Sequence, residues 1–330
     1  MIDSSHAGTE PQGLRIARVD PAQRAVALGV LLKGKPDPDE PSVQAFLDFA
    51  RAHKVPLDDL WAACDASRPD RPLAAALLAP SPGRTAMLFV SPIREPAGVA
   101  RAAELIDTLV AGRLDRRVRV VQALLDVGQT EEQQALVDGG FIRLARLAYL
   151  QRPCPSVRRV DPLAPALARR LDGRTPEVFA YTPEMAPKFE RAILASYRGT
   201  QDCPGLLGLR PIDEVLEGHR ASGVHRPDLW FAVYDRDEPV AVLLINQSHQ
   251  STGFELVYLG VADTARGKGL GRALLEHGLA ESGRQGAGSM VLAVDERNDP
   301  AVRLYRSMGF AARTRKVAMI RPTESAGQGG

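Results

Sequence analysis

The tripeptide Asp-Leu-Trp occurs twice in this sequence, at Asp59-Leu60-Trp61 and at Asp228-Leu229-Trp230, and the interval between the two is 169 residues. The same interval superposes Asp126 on Asp295 and Gly140-Phe141 on Gly309-Phe310, and it lays the run Ala86 to Val90 over Glu255 to Leu259. Three separated landmarks in one register argue for an internal duplication. At 330 residues the chain also exceeds what one hydrophobic core usually supports, which points independently to two domains. The expected division is 14–152 and 175–322, joined by 153–174. Pro153, Pro155 and Pro176 suppress regular structure at the two ends of that joining segment, while Pro165 to Leu171 can form a short helix. The chain ends, 1–13 and 323–330, are small and polar and read as disordered.

An apolar fraction of 45% with 25% charged residues describes an ordinary soluble globular chain, and a net charge of +2 supplies no basic field for nucleic acid or membrane. No apolar run approaches the roughly 18 residues of a membrane span, and the start, Met1 to His6, lacks a basic region followed by an apolar one, so a cytoplasmic location is expected. Cys64, Cys154 and Cys203 are far apart and odd in number, and read as reduced thiols. His219, His225, His249 and His277 show no metal-ligand spacing, so no metal site is expected.

In the second copy, apolar periodicity predicts strands at Glu177 to Tyr181, Trp230 to Tyr234, Pro239 to Asn246, Phe254 to Val261, Ser289 to Val294 and Ala311 to Ile320. Helices are predicted from Pro183 to Tyr197, Pro211 to Ser222, Leu270 to Ser282 and Pro300 to Met308. Between the strand ending at Val261 and the helix opening at Leu270 stands Arg266-Gly267-Lys268-Gly269-Leu270-Gly271. Glycines there permit positive φ and let a phosphate approach backbone amides at the start of a helix, and Arg266 and Lys268 add positive charge. Spacing excludes two other phosphate loops. A dinucleotide fingerprint starting at Gly267 needs glycine where Arg272 stands, and a Walker loop needs Ser or Thr where Gly269 follows Lys268.

The run Glu255 to Val261 followed by this loop closely resembles the acetyl-CoA-binding motif of the GNAT acyltransferase superfamily. The downstream block Asp295 to Phe310, with Asn298, Ala301, Leu304-Tyr305 and Gly309-Phe310, resembles that superfamily's following motif. Through the internal repeat the resemblance extends to a tandem GNAT chain with the layout of the mycothiol synthases. It implies an α/β (α+β) fold of two tandem GNAT-like domains, each a mixed, mostly antiparallel twisted sheet flanked by helices.

The resemblance also implies a chemistry: acyl transfer from acetyl-CoA to a primary amine by a direct sequential mechanism, with acetyl-CoA as acyl-donor substrate and no metal. The implied acceptor is an amine-bearing small molecule or peptide, and an internal pair of domains is compatible with a monomer. Such a reaction needs an unprotonated amine, a polarised carbonyl and a proton for the departing thiolate. Glu255 is the expected base, a carboxylate in an apolar strand that by the period of two faces the same side as Val257, Leu259 and Val261, where burial raises its pKa. Its rival is Asp263, which also suits a capping role in the loop. The family's splayed strand implies free amides at Leu259, Gly260 and Val261 for pantetheine and the thioester oxygen. It implies Tyr305 as the acid for the thiolate, and Asn298 as either a helix cap or a partner for the pantetheine arm.

Arg266, Gly267, Lys268, Gly269, Leu270 and Gly271 complete the implied donor site. Acceptor contacts are sought among Tyr197, Asp202, Arg210 and Arg226. In the first copy the fixed interval sets Ala97, Gly98, Ala100 and Ala102 opposite Arg266, Gly267, Gly269 and Gly271, and Leu136 opposite Tyr305. That copy is therefore expected to be degenerate and non-catalytic. The alternative function is a non-catalytic acyl-CoA-binding regulatory or scaffold protein.

Overall fold

The computed structural model describes residues 13–52, 55–112, 117–249 and 253–322, so the terminal segments expected to be disordered lie, but for Gly13, outside the described residues. The described chain gathers into two compact units, one of 13–80, 85–143 and 319–322, the other of 81–84 and 144–318. Each is a mixed, mostly antiparallel sheet with helices against it, the α+β arrangement expected.

The first unit sets strands β1 (Leu14–Arg18), β2 (Leu60–Asp65), β3 (Pro72–Ser81), β4 (Thr85–Val90) and β5 (Val120–Asp126) side by side in chain order. Pairs β1·β2 and β2·β3 are antiparallel, and β4·β5 is parallel. A parallel pair needs a crossover. Helix α3 (Ala97–Ala111) supplies it, after α1 (Arg24–Lys33) and α2 (Pro41–Ala52) and before α4 (Thr130–Asp138). Leu28, Val30, Val43, Leu60 and Leu77 form part of a core that α1 and α2 close over β2 and β3.

The second unit begins with β6 (Ile142–Pro153), the last strand of the first sequence copy. Helix α5 (Leu163–Ala168) lies within the joining segment, and β7 (Glu177–Ala180), α6 (Ala186–Tyr197), α7 (Ile212–Ala221), β8 (Trp230–Asp235), β9 (Glu238–Gln247) and β10 (Phe254–Val261) follow. Then come α8 (Leu270–Arg284), β11 (Ser289–Asp295), α9 (Asp299–Ser307) and β12 (Ala311–Pro322). The strand order is β12-β6-β11-β10-β9-β8-β7, with β10·β11 parallel across α8, and β6·β11, β9·β10, β8·β9 and β7·β8 antiparallel. The end of β12 lies beside β5 and counts with the first unit. Most of β6, the last strand of the first copy, thus counts with the second unit, and the end of β12, the last strand of the second copy, with the first.

Strand β9 shows why its sequence is a continuous apolar run. Leu243 and Ile245 pack under α5, α8 and α9, while Val242 and Leu244 pack under α6 and α7, so both faces are buried. The landmark glycines keep equivalent jobs: Gly140 and Gly309 take left-handed φ values of 84° and 83° and turn α4 and α9 into β6 and β12. The tripeptide landmarks do not. Trp230 opens β8 fully buried and donates its Nε1–H to Asn246 Oδ1 at 2.9 Å, whereas Trp61 stands one place inside β2 and is half-buried. Among the described residues no helix is long and apolar enough to cross a membrane.

Candidate active site

Strands β10 and β11 pair only at Phe254↔Met290 and Glu255↔Val291. Beyond that point the β10·β9 ladder runs on to Val261↔Ala241, but β10 and β11 part, and a cleft of about 610 Å³ opens between them. Register shifts between Leu256 and Tyr258, which makes Val257 an extra residue and re-aims everything after it. Phe254 and Leu256 pack toward α8, Val257 and Tyr258 toward α6, and Leu259 and Val261 toward α8 again. The simple period of two is therefore corrected: Glu255 shares a face with Val257 but not with Leu259 and Val261.

Leu259, Gly260 and Val261 line the cleft where β11 is missing. Gly260 has a second reason to be glycine, because a side chain there would run into Ser196 at the end of α6. Ser196 Oγ and Tyr258 Oη share a hydrogen bond of 2.8 Å, and burial pushes the Tyr258 phenol up.

Gly267 and Gly269 adopt left-handed φ of 79° and 83°, while Gly271 lies in the first turn of α8. The first bond of that helix runs from Ala273 N–H to Gly269 C=O at 3.1 Å, which leaves the amides of Leu270, Gly271 and Arg272 outside the helical ladder. Arg266 braces the loop: its guanidinium donates to the carbonyls of Ser196 (2.9 Å), Gly199 (3.1 Å) and Val261 (3.2 Å). Lys268 is exposed and does not line the cleft. Two cations that sequence reasoning passed over stand nearer. Arg272 lines the wall, and the Arg170 guanidinium, from the end of α5, lies over Gly269. Arg170 carries no motif, so only the tertiary fold reveals it.

Across the cleft, Tyr305 is buried on α9 with its ring edge-on to Phe310, and burial, with a smaller push from Asp202, drives its phenol well above the usual tyrosine range. Asn298 caps α9 by accepting from Ala301 N–H at 3.3 Å, and it also lines the cleft. Asp202, sought on the acceptor side, lines this same cleft, accepts from Asp295 N–H at 3.1 Å and is hydrogen-bonded by Asn298. Asp295 is fully buried against Arg297 at 2.8 Å and holds the turn after β11. Glu255 lies outside the cleft wall, half-buried, with its carboxyl pushed up by burial and Tyr149 of β6 in electrostatic contact. Asp263 accepts from Thr264 N–H at 2.9 Å and starts the turn after β10. Cys203 is a poor nucleophile here, since burial pushes its thiol up to about 12. Arg226 pairs with Asp228 at 3.0 Å.

The first copy needs a correction. Helix α3 starts at Ala97 and α8 at Leu270, so the loop residues opposite Arg266 to Gly269 are Ile93, Arg94, Glu95 and Pro96. Ala100 and Ala102 lie inside α3 and have no bearing on the loop. A fixed interval cannot register the four extra residues that the second copy carries before its helix. Loss of the cradle now rests on Pro96, whose φ of −55° stands where Gly269 has 83°, and Leu136 still replaces Tyr305 on the matching helix.

Residues 200–310 match the model of the acetyltransferase (GNAT) family. A mycothiol acetyltransferase of Corynebacterium efficiens is 26% identical over 71% of this chain and 73% of its own length. The peptidyl-lysine N-acetyltransferase YjaB of Salmonella typhimurium is 37% identical over 25% of this chain and 49% of its own length. The chain spans half or less of the first curated relatives it matches. The crystal structure of a GCN5-related N-acetyltransferase from Sphaerobacter thermophilus covers 96% of this chain and 97% of its own at a TM-score of 0.58 and 16% identity, a likeness of fold.

Proposed function

We propose that this protein is an N-acyltransferase that passes an acetyl group from acetyl-CoA directly to a primary amine at one donor site, in the second unit. The observation that carries the reading is the parting of β10 from β11 just after Glu255, which opens a cleft running from the left-handed glycine loop to a buried tyrosine. The free amides of Leu270, Gly271 and Arg272 suit a diphosphate, with Gly267 and Gly269 shaping the turn and Arg272, Arg170 and Lys268 adding charge. Arg266 holds the loop to α6. The β10 edge at Leu259, Gly260 and Val261 suits the pantetheine amides and the thioester oxygen, with Asn298 beside it. Glu255, its carboxyl raised by burial, takes the proton of the attacking amine directly or through water. Tyr305 stays a neutral phenol at any working pH, so it holds a proton to give to the departing thiolate. The names of the two relatives, a mycothiol acetyltransferase and a peptidyl-lysine N-acetyltransferase, support an amine acceptor without choosing between a small molecule and a peptide.

Calorimetry with acetyl-CoA and a thiol-release assay over sugar amines, aminoglycosides, polyamines and peptides test the reading. Tyr305→Phe and Glu255→Gln should each lower kcat by about 10²-fold or more, in the range of general acid–base catalysis, with acetyl-CoA still bound. Unchanged rates in both variants would remove these roles. Acetyl-CoA binding with no transfer to any amine would instead favour a non-catalytic acyl-CoA sensor.

A further inference from the structure

The wall of the donor cleft is unevenly charged. Arg266 and Arg272 stand on the glycine-loop side, and Asp202 is the one carboxylate among the described residues of the wall. Asp202 is held by neutral donors, the Asp295 N–H at 3.1 Å and the Asn298 side chain, and no described lysine or arginine forms an ion pair with it. Its neighbours Tyr305 and Tyr258 are buried phenols that bring no positive charge. A half-buried carboxylate without a cation is costly, and the shortfall is met when a ligand brings the cation. Glu255, by contrast, lies outside this wall, so the carboxylate that meets the ligand and the one suited to proton removal are different residues.

We propose that Asp202 is the specificity-determining residue that receives the positively charged end of the acceptor in the cleft, so that the acceptor enters as an ammonium. The proposal rests on the donor-site reading above and adds to it the anchor for the second substrate. It also gives the loop after α6 a purpose: the Asp295 N–H fixes Asp202 at the cleft beside Asn298 and Tyr305 instead of leaving it in solvent.

The test uses the full chain, with thiol release from acetyl-CoA measured against glucosamine, putrescine, kanamycin and a lysine-containing peptide. Asp202→Asn keeps an oxygen for the Asp295 N–H and removes only the charge. The expected result is a KM for the accepted amine raised at least tenfold, kcat changed less than threefold, and a calorimetric Kd for acetyl-CoA within twofold of wild type. Asp202→Glu should recover much of the lost KM. An unchanged KM in Asp202→Asn overturns the proposal and leaves the donor reading standing. Weakened acetyl-CoA binding in that variant also overturns it, since Asp202 would then be shaping the donor cleft. If the wild type binds acetyl-CoA but neither binds nor acetylates any of the four amines, the proposal falls and the donor site stands as that of an acyl-CoA sensor. If acetyl-CoA does not bind, both readings fall.

Discussion

His219 is a residue whose environment no local pattern announces. It lies on α7 with its ring stacked on Tyr258, centroids 5.4 Å apart and planes at 29°, and its Nε2 is buried with no hydrogen-bond partner among the described residues. Burial, then the Arg210 guanidinium, presses its imidazole from 6.5 down to about 4. The folded state therefore holds it neutral, and protons bind the unfolded chain first. Its contribution is fully present above pH 6.5, fades as pH falls through the window toward 4, and is gone below that. The shift amounts to about 3 kcal/mol at most, of which about 2 kcal/mol is lost by pH 5. Urea unfolding of the wild type should lose that much more stability between pH 7.5 and 5 than His219→Phe does. Equal losses in the two would assign the pH sensitivity elsewhere. Arg266 teaches a related lesson: its identity was legible as a loop cation, but its work as a brace on the Ser196 and Gly199 carbonyls required the end of α6, 70 residues away, to be in place.

At the level of elements, the glycines of the loop separate into two kinds. Gly269 is the left-handed N-cap of α8, where a Cβ meets the backbone and costs about 1–2 kcal/mol. Gly271 is helical, its added Cβ would find only ordinary contacts at 3.6 Å with Leu304 and Val261, and alanine there gains up to about 1 kcal/mol of helix propensity. Thermal melts should therefore place Gly269→Ala below wild type and Gly271→Ala level with it or above. The reverse order would mean that φ is not what the loop needs. The strands and helices of the second copy were legible to within three residues because their apolar periods are clean; Phe254–Val261 falls where the pattern put it. Two things were not legible. The extra residue at Val257 breaks the alternation without leaving any glycine or proline to mark it, so the faces of β10 past Leu256 had to be seen. The unequal loops before α3 and α8 defeat any single repeat interval, so the loop counterparts in the first copy had to be seen as well. For the site, the motif residues were named from the sequence, whereas the placing of Asp202, Arg170 and Arg272 depends on long-range packing.

Across the whole molecule, sequence copies and compact units do not coincide. The main segment of the second unit starts at residue 144, within β6, and β6 pairs with β11 from Leu147↔Asp295 to Pro153↔Ser289. A fragment cut at the sequence repeat, 175–322, lacks that strand and leaves the edge of β11 unpaired, a known invitation to aggregation. A fragment of 144–322 retains it. Size-exclusion chromatography and circular dichroism should find the longer fragment folded and monodisperse and the shorter one aggregated or largely unfolded; two equally well-behaved fragments would mean that β6 is dispensable to the second unit.

The same exchange of final strands orders events on the ribosome. Strand β5 is finished at Asp126, yet its neighbour β12 ends at Pro322, roughly 200 residues later. At about 5–20 residues per second, the nascent first unit waits on the order of 10–40 s with one sheet edge open. Its maturation is thus set by the synthesis of β12 rather than by the end of its own repeat, and over that interval it depends on whatever shields a bare strand edge in the cell.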